Sequence, residues 1–451
     1  MTCKPGDVLL QSKPYVHILS QKERSTICSS CITRCSDLKK CSKCGVLKYC
    51  GTSCQKDDWS IHKVECRYLQ QVSPLDSVML MLRLIIKHKN NEFENPDSSN
   101  DKWKRTFRDF KTHKQDIEKD PERMSQFSQI MFTLQKLAQN DLPPTEEIFE
   151  IFCKMTINSF TICDAELNPV GVGIYISPSM IDHSCVPNAV VTFSGKSLCV
   201  RATERIHMPS PENVRISYID QLALTCDRRE QLYKQYYFSC TCQRCLNYNM
   251  DQKMLSVKCP APNCSQKYIK KIDDKFLPCL CGHVVSDTEL SILQKYEDDI
   301  GKSLESLKQE KKVQEPAALL QSCIDCQNKQ KENFCNYNIY CVQILDIGLD
   351  ACIDCENWYQ ALCYTKELVE PYRLYYPPNS PQIGLLLMKQ GKIQLYLSLL
   401  KEALKSLQEA GEIIQVTHGR NHTLYKDLEM LLDQCMEEMR AFLESSDRSL
   451  E

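Results

Sequence analysis

Residues 28–66 read CSSCITRCSDLKKCSKCGVLKYCGTSCQKDDWSIHKVEC. The side chains with metal-ligand chemistry are Cys28, Cys31, Cys41, Cys44, Cys50, Cys54, His62 and Cys66, spaced C-x2-C-x9-C-x2-C-x5-C-x3-C-x7-H-x3-C. Eight thiolate or imidazole groups in so short a run make two tetrahedral zinc sites, each closed by four protein ligands. Closed sites are structural, because catalytic zinc keeps a position open for water. The segment buries too little apolar surface to fold alone, so metal binding and folding are expected to be one event.

The remaining composition agrees with this reading. At 451 residues the chain exceeds one ordinary core and is expected to form roughly two to four domains. Its 29 cysteines accompany no signal peptide, since Met1 to Asp7 leads into no apolar stretch. Clustered cysteines in a reducing compartment point to metal rather than to disulfides. A net charge of −2 excludes a global attraction to nucleic acid or acidic membranes. Val78 to Ile86 is strongly apolar, but Arg83 interrupts it and it is too short to span a bilayer. The 13 glycines are about 3% of the chain against a usual ~7%, which favours helix.

The cysteines fall in two bursts, residues 28–66 and 240–281. Between them residues 75–155 read as helical; apolar residues from Phe127 to Leu137 recur at helical spacing, and the polar stretch Lys89 to Asp101 reads as a loop. Residues 156–220 carry short β-branched and aromatic runs, Val170–Ile176, Ala189–Phe193 and Val214–Tyr218, which predict strands. From about residue 291 the pattern is helical, and Ala361-Leu362 recurs as Ala403-Leu404, each in an amphipathic helix followed by a break and another helix. A period near 40 predicts stacked helix pairs of the tetratricopeptide kind.

A second signal lies in three separated segments: Asn158-Ser159-Phe160-Thr161-Ile162, Asp182-His183-Ser184-Cys185-Val186-Pro187-Asn188, and Ile216-Ser217-Tyr218 with Cys240-x-Cys242-x2-Cys245 beyond it. The first cysteine burst resembles the MYND finger, and these three resemble a SET domain with its post-SET zinc motif. In this order, with a helical C-terminus, the chain is identified as a member of the SET- and MYND-domain (SMYD) family of protein-lysine methyltransferases. The expected class is α+β: residues 1–24 start a β-rich SET core, 25–70 form the inserted finger, 71–155 a helical insert, and 156–222 the core SET segment. The post-SET motif would span 223–248, a cysteine-rich stretch 249–290, and a tetratricopeptide-like helical domain 291–451.

The resemblance implies roles residue by residue. In the finger the ligand pairs interleave: Cys28, Cys31, Cys50 and Cys54 would hold one ion, Cys41, Cys44, His62 and Cys66 the other, with Cys35 spare. Cys185, Cys240, Cys242 and Cys245 would hold a third zinc and close the lysine channel. The cofactor is S-adenosylmethionine, and transfer of its methyl to a neutral lysine amine is an in-line displacement, so the protein mainly aligns and desolvates. An apolar aromatic channel disfavours the ammonium form. Tyr218 would orient the amine, with Tyr236 a second channel aromatic; Phe238 would pack on the adenine, and Asn158, Asp182 and the backbone at His183 would hydrogen-bond the cofactor. The substrate would be a lysine in a histone or non-histone protein, its peptide lying between the SET core and the helical domain. The finger would take proline-rich peptides, with Trp59 and Tyr49 as aromatic contacts. Its lysines 39, 40, 43, 48, 56 and 63 permit weak nucleic-acid contact but read better as a solvated face. A monomer in cytoplasm and nucleus, with no membrane association, is expected.

Three features depart from the family pattern. Family members usually begin with an Arg-Gly-x-Gly-Leu turn that cradles the cofactor's methionine end, whereas Lys4 to Leu10 here matches the following strand. An N-terminally truncated chain, a cofactor site lacking one wall and a catalytically weak interaction scaffold are the competing expectation. Asp182 stands where the family has Asn, and an ionised aspartate only accepts hydrogen bonds. Pro211 to Arg215 replaces a Gly-Glu-Glu-Leu-Thr strand. Separately, Cys259, Cys264, Cys279 and Cys281, at C-x4-C-x14-C-x-C with Pro260, Pro262 and Gly282 as turn formers, read as a zinc-ribbon-like fourth site, with His283 a weaker substitute ligand. Cys323, Cys326, Cys352 and Cys355 read as small helix-packing residues.

Overall fold

The computed structural model describes residues 2–70, 74–94, 103–138, 141–261, 264, 269–272, 275–330 and 333–448, which fall into two units. The first comprises Met1–His183, Pro187–Ile216 and Leu232–Ser239; the second comprises Ser184–Val186, Ser217–Gln231 and Cys240–Glu451.

The first unit is built on short antiparallel strands. β1 (Thr2–Cys3), β2 (Val8–Ser12) and β3 (Val16–Leu19) precede the finger, which contains β4 (Lys39–Lys40), β5 (Lys48–Tyr49) and helix α1 (Thr52–Leu69). Four helices follow: α2 (Asp76–Lys89), α3 (Lys114–Glu118), α4 (Pro121–Ala138) and α5 (Thr145–Asn158). The chain then returns to β6 (Ser159–Cys163), β7 (Pro169–Ile174), β8 (Ala189–Ser194), β9 (Ser197–Ala202) and β10 (Ile206–His207). The sheets are ordered β2-β9-β8, β3-β7-β6 and β1-β10, so strands on the two sides of the finger pair with each other. The finger is thus an insertion into a single β-rich core.

Burial follows sequence pattern. In β9, Leu198, Val200 and Ala202 are buried while the alternate residues are half-exposed, as expected for a strand with one covered face. The middle of α2 is apolar on every face but for Arg83, and Val78 to Ile86 are buried, Arg83 included. In α4, Phe127, Ile130, Met131, Leu134 and Leu137 form the buried stripe that helical spacing predicts; the Phe127 ring packs edge-on against Phe149 of α5 at 4.8 Å. No helix among the described residues is long and apolar enough to cross a membrane. The loop expected at 89–101 lies outside the described residues from 95 onward.

One strand expectation is corrected. Val214–Tyr218 forms no ladder; its only pairing among the described residues is an isolated parallel bridge between Ile216 and His183. The backbone groups at Arg215 are taken instead by Asn188, whose side-chain oxygen accepts the Arg215 N–H at 2.7 Å, and by the Ala189 N–H, which donates to the Arg215 carbonyl at 3.0 Å.

In the second unit, helix α6 (Thr225–Tyr236) starts and then runs on into the first unit's last segment. α7 (Gln243–Leu246), α8 (Asn249–Met254) and a small hairpin of β11 (Lys271–Ile272) and β12 (Lys275–Phe276) follow. Seven helices come next: α9 (Asp287–Glu310), α10 (Pro316–Gln330), α11 (Ile339–Asp354), α12 (Trp358–Tyr375), α13 (Pro381–Tyr396), α14 (Leu400–Thr417) and α15 (Thr423–Arg448), each packed on its neighbour in the chain. Polar caps start three of them: Ser286 and Glu289 form a capping box on α9, and Asn338 and Asn357 accept free N–H groups in the first turns of α11 and α12. The repeated alanines, Ala361 in α12 and Ala403 in α14, are both fully buried, as close packing of stacked helix pairs requires. Cys323 and Cys352 are fully buried in α10 and α11.

Candidate functional site

In the finger the eight ligand residues converge as two sets of four, Cys28, Cys31, Cys50, Cys54 and Cys41, Cys44, His62, Cys66, with the donor atoms of each set within 4.8 Å of one another. The Sγ atoms of Cys31 and Cys50 are 3.8 Å apart, as are those of Cys41 and Cys66, and the Cys44 Sγ lies 3.6 Å from His62 Nε2. A tetrahedral zinc with Zn–S near 2.3 Å and Zn–N near 2.05 Å requires S···S edges of about 3.8 Å and S···N edges of about 3.6 Å. A disulfide would need S–S of about 2.05 Å. The donor sets therefore fit zinc, and none of the 29 cysteines is in a disulfide.

The second set is braced by a buried ionic chain. His62 Nδ1 lies 3.1 Å from Glu65 Oε1, which fixes the ring with Nε2 toward the cysteines. Arg83 of α2 donates to both oxygens of Glu65, at 2.6 and 3.0 Å, to Asp58 at 3.1 Å and to the His17 carbonyl of β3 at 2.8 Å. Asp58 also accepts from the Tyr49 hydroxyl at 2.8 Å. Burial would push the Glu65 carboxyl up, but Arg83, helped by His62, outweighs it and holds it at about 2. A lone arginine within the apolar run of α2 was the available sequence signal: a buried cation needs acids, and Asp58 and Glu65 supply them from one face of α1.

This arrangement also corrects a peptide-contact expectation. Tyr49 is buried and bonded to Asp58, so its ring belongs to the core, whereas Trp59 is 44% exposed and edge-on to His62 at 6.0 Å. The β8–β9 hairpin touches the finger: the Lys196 N–H donates to the Cys31 carbonyl at 3.1 Å. Gly195 at that turn has φ +56, and a Cβ there would lie 2.4 Å from the same carbonyl oxygen.

A third set lies in the second unit. The Cys185 Sγ is 3.5 Å from that of Cys245 and 4.0 Å from that of Cys240, and with Cys242 all four sulfurs lie within 4.8 Å. Four thiolates around Zn(II) carry a formal charge of about −2. Arg228, fully buried in α6, answers it from 3.6 Å on Cys245 Sγ. Arg229 donates to the carbonyls of Cys240 at 3.1 Å and Cys245 at 2.9 Å. Sequence reading passed over both arginines, because adjacent charges near a helix start resemble a solvated face. Cys259, Cys264, Cys279 and Cys281 converge as well. Cys323, Cys326, Cys352 and Cys355 join no such group among the described residues.

Of the residues expected to bind cofactor or substrate, the structure brings three rings together in the first unit: His183 is 6.0 Å from Phe238, and Phe238 is 6.4 Å from Tyr236. Tyr237 between them takes φ +58 and closes α6 with its N–H on the Tyr233 carbonyl at 2.9 Å. Left-handed backbone costs a non-glycine residue about 1–2 kcal/mol. The Tyr237 hydroxyl on Asp120 at 2.9 Å and the ring stacked on His113 at 5.9 Å offset that cost and anchor the turn. Burial pushes the Tyr236 phenol up to about 12, so it stays neutral. Asn158 ends α5, and its amide N–H groups donate to the carbonyls of Lys154 at 2.8 Å and Lys111 at 3.1 Å. Asp182 is exposed, and its carbonyl accepts the Ile216 N–H at 3.3 Å. Tyr218, half-buried, belongs to the second unit.

A family model of the MYND finger matches residues 28–66. The histone-lysine N-methyltransferase SMYD3 of mouse is 33% identical over 447 residues, covering 97% of this chain and 94% of that protein. The histone-lysine N-methyltransferase ASHR1 of Arabidopsis thaliana is 30% identical over 96% of this chain and 92% of its own length. The N-lysine methyltransferase SMYD2 of human is 27% identical over 95% of this chain and 93% of its own length.

Proposed function

The chain belongs to the SMYD family of protein-lysine methyltransferases, and from that premise we propose that it methylates lysine in a protein substrate, with S-adenosylmethionine as donor and Tyr218 at the reacting amine. The observation that carries the reading is the likeness to lysine methyltransferases along 97% of the chain. It is supported by the His183, Phe238 and Tyr236 ring group.

S-Adenosylmethionine, when bound, supplies a methyl on a positively charged sulfur. Phe238 and His183 offer an aromatic wall suited to adenine, Asn158 its side-chain oxygen, and Asp182 a carboxylate suited to the cofactor's ammonium group. Tyr236, neutral across the working pH range, adds an uncharged ring that disfavours an ammonium beside it. The Tyr218 hydroxyl orients the amine lone pair.

The finger is a protein-interaction element, and exposed Trp59 suits it to proline-rich peptides. The exposed lysines 39, 40, 43, 56 and 63 support at most a weak, salt-sensitive nucleic-acid contact. Twenty-nine cysteines without a disulfide fit a reducing cytoplasm and nucleus as working compartments, and we take the monomer as the working form.

The test is transfer of labelled methyl groups to a panel of histone and non-histone proteins. Wild type should label at least one, and Tyr218→Phe should lower the rate by about 100-fold, the usual penalty for a misaligned reacting group. Equal background labelling by both proteins overturns the assignment.

A further inference from the structure

The second unit holds a sulfur cluster outside both the finger and the third set. The Cys259 and Cys281 Sγ atoms are 3.8 Å apart, those of Cys264 and Cys279 are 3.6 Å apart, and all four lie within 4.8 Å of one another. These separations match the S···S edge of about 3.8 Å around tetrahedral zinc and exclude disulfides, whose sulfurs lie about 2.05 Å apart.

The backbone is shaped for ligation. The Gly282 N–H donates to the Cys279 carbonyl and the Cys279 N–H to the His283 carbonyl, both at 2.8 Å, which folds Cys279 and Cys281 into a tight knuckle. Gly282 has φ +88 with nothing within 4 Å of a built Cβ, so the glycine is needed for its backbone conformation alone. On the other side, the Cys264 N–H donates to the Ala261 carbonyl at 3.3 Å and turns the chain back toward Cys259. His283 lies 3.2 Å from Glu289 at the start of α9, paired with a carboxylate rather than with the sulfurs.

A second, independent observation says that something other than apolar burial holds this lobe. Leu280 is 88%, Val284 65% and Leu277 39% exposed. Between Cys259 and the α9 cap, the described apolar residues that are buried are Ile269, Phe276 and Cys279. The hairpin's strands are only two residues each, too short to hold together by themselves. The lobe also leads straight out of fixed structure: Val257 bridges both Ile269 and Phe334, and the Lys258 N–H donates to the Asn333 carbonyl at 2.9 Å.

We propose that Cys259, Cys264, Cys279 and Cys281 bind a further zinc ion, a closed structural site that clamps this lobe at the start of the helical region. Four thiolates with no open position suit zinc, and the bound ion ties the knuckle and the turn at Cys264 together.

The full chain purified with zinc should carry four zinc ions per molecule by elemental mass spectrometry, one for each of the four cysteine-rich sets. The Cys264→Ser/Cys279→Ser variant should carry one fewer, with the other three sets still filled. Three ions in wild type, an undiminished count in the variant, or iron in place of zinc would each overturn the proposal. Should the variant fail to fold, wild type alone decides by thiol alkylation with peptide mapping. The four cysteines should be protected together and released together on chelation. Independent reactivity at full zinc content, or a disulfide among them, would refute the site.

Discussion

Replacing Arg83 by methionine removes the cation that meets Asp58 and Glu65 while keeping most of the side-chain volume in α2. The side chains of all three are at most 4% exposed, so water cannot replace the lost partner. Breaking a buried pair from one side typically costs about 3–5 kcal/mol. At about 2–4 °C per kcal/mol for a unit of this size, the first unfolding transition should fall by about 6–20 °C. Differential scanning fluorimetry of the zinc-loaded chain measures it, and a zinc indicator in the same sample should report metal release at the lowered temperature, because Glu65 fixes the His62 ring. Adding Asp58→Asn and Glu65→Gln to Arg83→Met should recover most of the loss, since a fully neutralised set leaves no unpaired charge. A shift for Arg83→Met below about 1 kcal/mol, or a triple variant no more stable than the single one, would refute the account.

Burial, reinforced by Arg83 and Lys196, holds His17 down at about 4. The unfolded chain titrates near ~6.5, so it binds the extra proton first and stability falls between those values as pH drops, by about 3 kcal/mol in all. His17→Gln should flatten that portion of the stability–pH curve against wild type; parallel curves would contradict it. Arg228→Met should weaken zinc retention at the third cysteine set by about 10- to 100-fold in chelator competition, and unchanged retention would leave Arg228 a packing residue. Gly195→Ala adds a clash at 2.4 Å to the left-handed cost, whereas Gly45→Ala (φ +69, nothing within 4 Å of a built Cβ) carries the cost of about 1–2 kcal/mol alone. Gly195→Ala should therefore be the more destabilising in denaturant titration; equal losses would rule out a tight hairpin–finger contact.

What could be read from the sequence was what is local. Ligand spacing at Cys28 to Cys66 is set by the few ångströms a zinc ion allows, and the two sets of four assemble as the spacing and the family pattern imply. The strands at Val170 and Ala189 and the buried stripe of α4 likewise follow from periodicity. What escaped was decided by distant partners. Val214–Tyr218 has strand-forming residues, but its backbone is claimed by Asn188 and Ala189. Tyr49 follows a lysine in the chain but is drawn inward by Asp58. Arg83 interrupts an apolar run, and only the fold reveals which acids it serves.

The lock between α1 and α2 bears on how this protein can be cut. Residues 28–66 look like an exportable cassette, self-sufficient once loaded with metal. An excised piece ending near residue 70 would carry Asp58 and Glu65 away from the guanidinium that neutralises them, and would bare the buried face of α1. The smallest piece fit for expression or grafting onto another protein thus extends through α2 and includes β3, whose His17 carbonyl accepts from Arg83. Divided that way, the core left behind loses a strand of its β3-β7-β6 sheet, so the excised piece is gained at the cost of the part it came from.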